Sequence, residues 1–255
     1  MQYINTNKLE KLKITKENTY VVLDFDKTIT STESKDSWDV CGELLNDEFK
    51  EKLNKYCEYY YPIEIDYKIS KEEKEKHMIE WYDKDMNLFY EYHLTKEKLE
   101  QSIKQGKTIL RKGAKEFLQK AKNQNMPVII LSAGIGNVIE GVLKLNNCYY
   151  DNIYIISNFI KFDENGNMKK FDDEMIHTLN KTMEGHLPAE IKEEIEQKEY
   201  GILVGDLVYD INMVPANKLE NTVTIGFVTN DNNFDVYKEN FDIVLSGEDA
   251  NFESI

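Results

Sequence analysis

The chain has 255 residues, of which 41% are hydrophobic and 31% charged, and its formal net charge is -15. That length allows one large domain or two modest ones, with enough apolar residues to bury a core. So acidic a chain repels nucleic-acid phosphates and anionic membranes, which argues against binding to either and means that any phosphate substrate must find local positive charge. Cys41, Cys57 and Cys148 are odd in number and lack a CxxC spacing. Neither a disulfide framework nor a zinc site is expected, and a reducing, cytoplasmic setting fits. No signal peptide is expected in Met1 to Lys13, and no apolar run approaches the ~18 residues of a membrane span.

In chain order, the first predicted strand is Tyr20 to Leu23, followed at once by Asp24-Phe25-Asp26. From about Thr32 to Gln105 the strand pattern disappears. Leu44, Leu45, Phe49 and Leu53, then His77, Trp81 and Leu88, fall at near-helical spacing in a run rich in Lys and Glu. This predicts an all-helical insertion over 32–105, closed by the polar stretch Lys104-Gln105-Gly106-Lys107. Beyond it, strands are predicted at Val128 to Leu131, Ile153 to Ile156, Ile202 to Val204, Val223 to Phe227 and Ile243 to Leu245. Helical patterns at Ala114 to Lys122, Val138 to Leu145 and Pro188 to Gln197 lie between them. Short β-branched runs that do not alternate suit strands buried on both faces. The fold class expected is therefore α/β: a doubly wound parallel-sheet core, residues 1–31 and 106–255, with an inserted helical cap, 32–105.

The chemistry-bearing residues fall at predicted strand ends. Ligands of open α/β sheets bind at the carboxyl edge, and strand alternation sends Asp24 and Asp26 to one side with Phe25 opposite. Two unit charges ~4 Å apart repel by about 4 kcal/mol at an effective dielectric of ~20, and a divalent cation would offset that. Alone, the pair reads as well as the acidic end of a solvated strand. Ser132-Ala133-Gly134, after the second long apolar strand, offers a hydroxyl and close backbone N–H groups to a phosphate. Gly134-Ile135-Gly136 begins a dinucleotide fingerprint, but the third glycine position holds Ile139, which rejects it. Gly205-Asp206-x-x-x-Asp210 adds two carboxylates after a glycine suited to a tight turn, a set that fits a hard cation such as Mg²⁺. Helix N-terminal acids complementing a dipole explain Asp210 fairly well, and Asp206 less well. Lys181 is, by itself, one lysine among many.

Taken in order, Asp24-x-Asp26-x-Thr28, Ser132, Lys181 and Gly205-Asp206-x-x-x-Asp210 resemble the four motifs of the haloacid dehalogenase-like phosphohydrolases. Closer in, Leu131 to Glu140, Ile156-Ser157-Asn158-Phe159 with Phe162-Asp163-Glu164, Ile176 to Lys181, Tyr61 to Asp66 and Met78 to Tyr82 resemble the cytosolic pyrimidine 5'-nucleotidase family, from about Val21 to Leu245. The resemblance implies that Asp24 attacks phosphorus to give an aspartyl-phosphate. Asp26 would protonate the leaving oxygen and then activate water. Asp24, the Asp26 carbonyl and Asp206 would hold Mg²⁺, with Asp210 and Thr28 behind them. Ser132, the Ala133 amide and Lys181 would hold the phosphoryl oxygens. In the cap, Glu64 would contact the sugar or base and Trp81 or Tyr82 would stack on the base, although core packing accounts for both aromatics equally well. The substrate implied is a nucleoside 5'-monophosphate, pyrimidine preferred, handled by a monomer.

The chain departs from that pattern in two places. The loop Thr30 to Glu43 is shorter than in animal members, and Asp85 stands where they carry a serine; Trp38 is a candidate for part of the missing wall. Base preference is therefore open. The alternatives are a phosphatase for a sugar phosphate or for a modified nucleotide such as a 7-methylated guanylate, and a phospho-acceptor domain of receiver type. The latter has no need of Asp26 as acid/base. Asp163-x-Asn165-x-Asn167 mimics a calcium loop, but its sixth position is Met168 rather than glycine, so a turn on Glu164-Asn165-Gly166-Asn167 is expected instead. His77, His93, His177 and His186 lack ligand spacing.

Overall fold

The computed structural model describes every residue except 1, 67 and 229–233. Its seven strands are β1 (Gln2–Ile4), β2 (Thr19–Leu23), β3 (Val128–Ile135), β4 (Ile153–Asn158), β5 (Tyr200–Gly205), β6 (Thr222–Val228) and β7 (Ile243–Ser246). They form one sheet in the order β1-β7-β6-β5-β2-β3-β4, parallel throughout except at β1. All six predicted strands are present. The seventh, β1, pairs antiparallel with β7, Gln2 opposite Leu245. Three residues are too few to make a period, so only the pairing reveals this strand, which covers an otherwise open sheet edge.

The central strands are buried on both faces, as their composition requires. Val21 and Leu23 of β2, with Val128 and Ile130 of β3, enter one apolar cluster. Tyr20 and Val22, with Ile129 and Leu131, enter the other. Each such side chain stabilises the fold by about 1.5–3 kcal/mol relative to exposure. The helices are α1 (Thr6–Leu9), α2 (Ser37–Gly42), α3 (Asp47–Ile65), α4 (Lys71–Glu91), α5 (Lys96–Lys104), α6 (Ala114–Asn123), α7 (Gly136–Leu145), α8 (Met183–His186), α9 (Ala189–Glu196) and α10 (Phe234–Asn240).

Helices α2 to α6 lie between β2 and β3, and the first four of them fall within the interval 32–105 expected to be helical. The apolar positions Leu44, Leu45, Phe49 and Leu53 do not share one helix. The chain breaks after α2, and the Asn46 side chain accepts from Phe49 N at 3.0 Å to start α3. A good N-cap residue overrides the apolar spacing here. Ser70 and Thr95 cap α4 and α5 in the same way. Helices α3 and α4 pack on each other as a hairpin, whereas α2 and α5 pack on each other and on α7, and α2 also touches β3. The insertion thus consists of a helical roof carried on two legs seated against the core.

The expected turn at 164–167 is present. Phe162 and Met168 bridge antiparallel, and Gly166 takes φ +78°. The Asp163 carboxylate accepts from the N–H groups of Asn165 (2.9 Å) and Asn167 (2.8 Å), so it closes the turn.

Candidate active site

Strand register assembles the site. Leu23 lies opposite Val204 of β5 on one side and Ile130 of β3 on the other. The residues that follow those three strands therefore emerge side by side at the carboxyl edge, where the strand order reverses direction. Asp24, Asp26, Ser132, Ala133, Lys181 and Asp206 all line one cavity of about 620 Å³ above that edge. Phe25 points the other way, fully buried in the core.

Asp24, Asp206 and Asp210 are buried, and each has a carboxylate oxygen within 4.8 Å of the others. Lys181, itself buried, spans two of them, 2.7 Å from Asp24 Oδ1 and 2.6 Å from Asp210 Oδ1. One ammonium does not balance this cluster. Burial raises Asp24 to about 6, with Lys181 opposing and Asp210 adding to the shift. Burial, then Asp24 and Asp210, hold Asp206 well above the carboxylate range. Burial alone would lower Lys181, but Asp210 and Asp24 more than offset it and hold the ammonium above its usual value. A surplus of buried carboxylate oxygen suits a hard divalent cation. Asp24 and Asp206 bring carboxylate oxygens close enough together to share one. Asp210 is engaged otherwise: Oδ2 accepts from Asp206 N (3.0 Å) and Leu207 N (2.9 Å), and Oδ1 faces Lys181. Thr28 Oγ1 approaches Asp206 Oδ1 at 3.5 Å.

Gly205 has a different reason from the one its position suggests. It takes no positive φ, and a Cβ there would collide with the Asp210 carboxyl group. It is glycine to admit that side chain, not to permit the turn. The phosphate loop also differs from expectation. Strand β3 does not stop at Leu131 but continues to Ile135, with a slip in its pairing to β4 between the two. Such a bulge re-aims backbone groups away from the ladder. Gly134 N donates to Ser132 Oγ at 3.0 Å, and a Cβ on Gly134 would run into Ser37 Oγ and sit 2.8 Å from Asp26 Oδ2.

Five supporting residues escaped sequence reasoning. Ser37, at the start of α2, grips the Asp26 carboxyl with both its N–H (2.9 Å) and its hydroxyl (2.6 Å), while its oxygen accepts from Ile135 N at 3.0 Å. Burial, then Asp36, push Asp26 to about 8 against these donors. Arg111 is the only arginine in the chain. It donates to the carbonyls of Lys27, Thr28 (2.9 Å) and Ala250 (2.5 Å), and lies 4.7 Å over the Phe227 ring. It clamps the loop after Asp26, where Lys27 takes φ 61°, and its rarity was the one available signal. Asn158 ties two loops together, donating to Ala133 O (3.0 Å) and Ile176 O (2.8 Å) and accepting from Ile176 N (2.8 Å). The Asn180 side chain then closes the turn that presents Lys181, accepting from His177 N at 2.7 Å.

Thr178 is the fifth. Its hydroxyl donates to the Glu64 carboxylate and lies 3.1 Å from Tyr82 OH, joining roof to core three residues before Lys181. Glu64 and Tyr82, expected at the substrate, thus meet at Thr178 while also lining the cavity. Trp81 lines it too, stacked on Tyr60 at 5.7 Å. Trp38 packs edge-on to Tyr82 at 5.5 Å and stacks on Phe89 at 6.0 Å, so it does form part of the wall.

A pair of carboxylates just beyond a buried inner strand, beneath helices inserted directly after it, is the arrangement of the haloacid dehalogenase-like phosphohydrolases. In overall fold the chain is similar to a substrate-bound phosphoserine phosphatase (TM-score 0.62, 20% identity, 95% of this chain and 98% of that one). A cytosolic 5'-nucleotidase IIIB bound to cytidine is nearer, with TM-score 0.84 and 27% identity over 99% of this chain and 90% of that one. The chain belongs to the pyrimidine 5'-nucleotidase (UMPH-1) family, whose model matches residues 23–253, and is a phosphoric monoester hydrolase of the 5'-nucleotidase type. Among curated relatives it is 32% identical to the 7-methylguanosine phosphate-specific 5'-nucleotidase A of Xenopus laevis (90% of this chain, 82% of that one). It is 30% identical to the Homo sapiens 7-methylguanosine phosphate-specific 5'-nucleotidase (90% and 80%).

Proposed function

We propose that the protein is a Mg²⁺-dependent phosphatase of nucleoside 5'-monophosphates that works through an aspartyl-phosphate on Asp24. The convergence of Asp24, Asp26, Ser132, Lys181 and Asp206 on one cavity carries this reading. An Asp24 oxygen attacks phosphorus as the ester P–O bond breaks, and Asp26 gives its proton to the departing sugar oxygen. Asp26 then takes a proton from water, which attacks the same phosphorus and releases inorganic phosphate from Asp24. Ser132, the Ala133 amide and Lys181 hold the phosphoryl oxygens as charge shifts among them. Asp24, Asp206 and the Asp26 carbonyl would hold Mg²⁺, which would supply the remaining positive charge. Ser37 orients Asp26, and Arg111 fixes the loop that carries its carbonyl.

Residues 32–105 serve as the cap, with the α3–α4 hairpin as the part that covers the leaving group. A cavity of this size accommodates a nucleotide. Glu64, Trp81 and Tyr82 flank the nucleoside. Cytidylate is the first expected substrate, supported by the family and by the cytidine-bound neighbour. The names of the curated relatives favour a second reading, a 7-methylated guanylate. No helix among the described residues is long and apolar enough to cross a membrane, and we place the enzyme in the cytoplasm as a monomer. The test is turnover of cytidylate, uridylate, adenylate, guanylate, 7-methylguanylate and ribose 5-phosphate with and without Mg²⁺. A clear preference for one or more nucleotides is expected, and equal rates on all six would sink the nucleotide reading.

A further inference from the structure

Lys74 is fully buried, which is rare for a lysine and costly unless its charge is well paired. It lies near the N-terminal end of α4, where the dipole of its own helix disfavours a cation. The reason for it lies in what it bonds. Its ammonium donates to the Glu64 carbonyl at 2.7 Å. That carbonyl belongs to the last turn of α3, where such groups lack partners within the helix and gather partial negative charge. The same ammonium donates to the Tyr209 hydroxyl at 2.8 Å and lies 4.7 Å from the centre of that ring. Lys74 therefore joins both helices of the roof to a residue of the floor.

Tyr209 stands between Asp206 and Asp210, in the short 3-10 helix Val208–Met213. The floor holds the rest of that segment. From α10, Tyr237 donates to the Asp206 carbonyl, while Asp210 Oδ2 accepts from the N–H groups of Asp206 and Leu207. Lys74 adds a hold from the roof. Glu64 links this tie to a second one, since its carbonyl takes Lys74 and its carboxylate takes Thr178, three residues before Lys181. Burial raises the Glu64 carboxyl above its ordinary range, and Thr178, then Lys181 and Lys74, oppose that rise. Both ties are polar, and each ends on a segment that presents a charged floor residue. Resting on the Mg²⁺ mechanism above, we propose that Lys74 is a positioning residue for the reaction: acting from the roof through Tyr209, it fixes the segment that presents Asp206 to the metal.

Y209F keeps the ring and removes the hydroxyl, whereas K74M keeps most of the side-chain length and removes the donor. Two quantities are read for the wild type, each variant and the double variant. One is the Mg²⁺ concentration that gives half-maximal turnover of the preferred nucleotide. The other is the Mg²⁺ dissociation constant from calorimetric titration without nucleotide. In Y209F both should rise by about tenfold, a usual cost of losing a group that orients a metal ligand. K74M should behave alike, and the double variant should be no worse than the poorer single one, because both changes remove one interaction. At saturating Mg²⁺ the KM for nucleotide should stay within about twofold of the wild type. A tie that serves only to hold the fold together would lower the melting temperature of the metal-free protein and leave both Mg²⁺ values unmoved. That result overturns the proposal, as does a double variant whose losses multiply. Should K74M fold poorly for want of the charge beside Glu64, Y209F alone decides. A wild-type enzyme that turns over nucleotide without Mg²⁺ sinks the mechanism above and this role with it. If the wild type needs Mg²⁺ and Y209F matches it in both values, only the role of Lys74 falls.

Discussion

The floor and the roof of the cavity are built on opposite terms. On the floor the carboxylates already have partners: Asp24 with Lys181, Asp26 with Ser37, Asp210 with Lys181 and two backbone N–H groups. On the roof, Trp81 Nε1 and Asp85 Oδ1 have no partner of hydrogen-bond geometry among the described residues, although the indole favours the Asp85 carboxylate. The floor is pre-organised by sheet register and so fixes the chemistry. The roof buries polar groups without such partners. The two parts of the chain meet different physical demands, and perturbing each should leave a different signature.

The largest effect should come from the floor. D24N removes the nucleophile and should lower kcat by about 10³-fold or more, with no phosphoenzyme trapped in a rapid acid quench. Removing Mg²⁺ with a chelator should abolish turnover, and adding it back should restore it. Residual turnover at the wild-type rate in either case would refute the mechanism. Next, D26N should cost about 10²- to 10⁴-fold in kcat, the usual range for losing a general acid. An activated phenolic leaving group, which needs no proton, should recover most of the loss in the first half-reaction.

G134A tests whether the floor depends on close approach. The added methyl collides with Ser37 and crowds Asp26, so kcat should fall by about tenfold and stability by about 1–3 kcal/mol, measured by kinetics and thermal melting together. An unaffected enzyme would mean that the Ser37 grip on Asp26 is dispensable. R111K keeps the charge but loses the fork that reaches three carbonyls. It should melt earlier, by about 1–3 kcal/mol of lost stability, and lower kcat without a matching change in KM.

The smallest effect belongs to the roof. Asp85 titrates at about 8 in the folded chain, against about 4 unfolded. Between those values the folded state binds more protons, so stability falls as pH rises through that window. In the absence of nucleotide, D85N should therefore gain on the wild type in thermal melting from about pH 5 to about pH 8, by roughly 1–3 kcal/mol across the range. A constant difference across that range would contradict the unpaired, buried state of the carboxyl group.

How much of this was readable from the chain depends on how local each feature is. The β-branched runs announced six strands, and the residues just beyond them announced Asp24, Asp26, Ser132 and Asp206, because parallel register brings strand ends together whatever lies between. Lys181 was anonymous by position alone; its meaning comes from a loop held by Asn158 and Asn180, contacts made far apart in sequence. Ser37 and Arg111 act across 11 and 83 residues to reach Asp26 and Thr28, and no periodicity encodes that. Leu44 and Leu45 misled because apolar spacing does not register an N-cap, and Gly205 because a glycine gives no sign of which neighbour needs its space. Glu64 and Tyr82 were placed at the cavity, but their meeting at Thr178 depends on how the roof seats on the core.

Lys181 stands between Asp24 and Asp210 with Asp206 alongside, so three carboxylates share one resident cation. An incoming phosphate dianion meets a surplus of like charge there until a divalent ion has balanced it. On the proposed mechanism the consequence would be an order of arrival, metal before nucleotide.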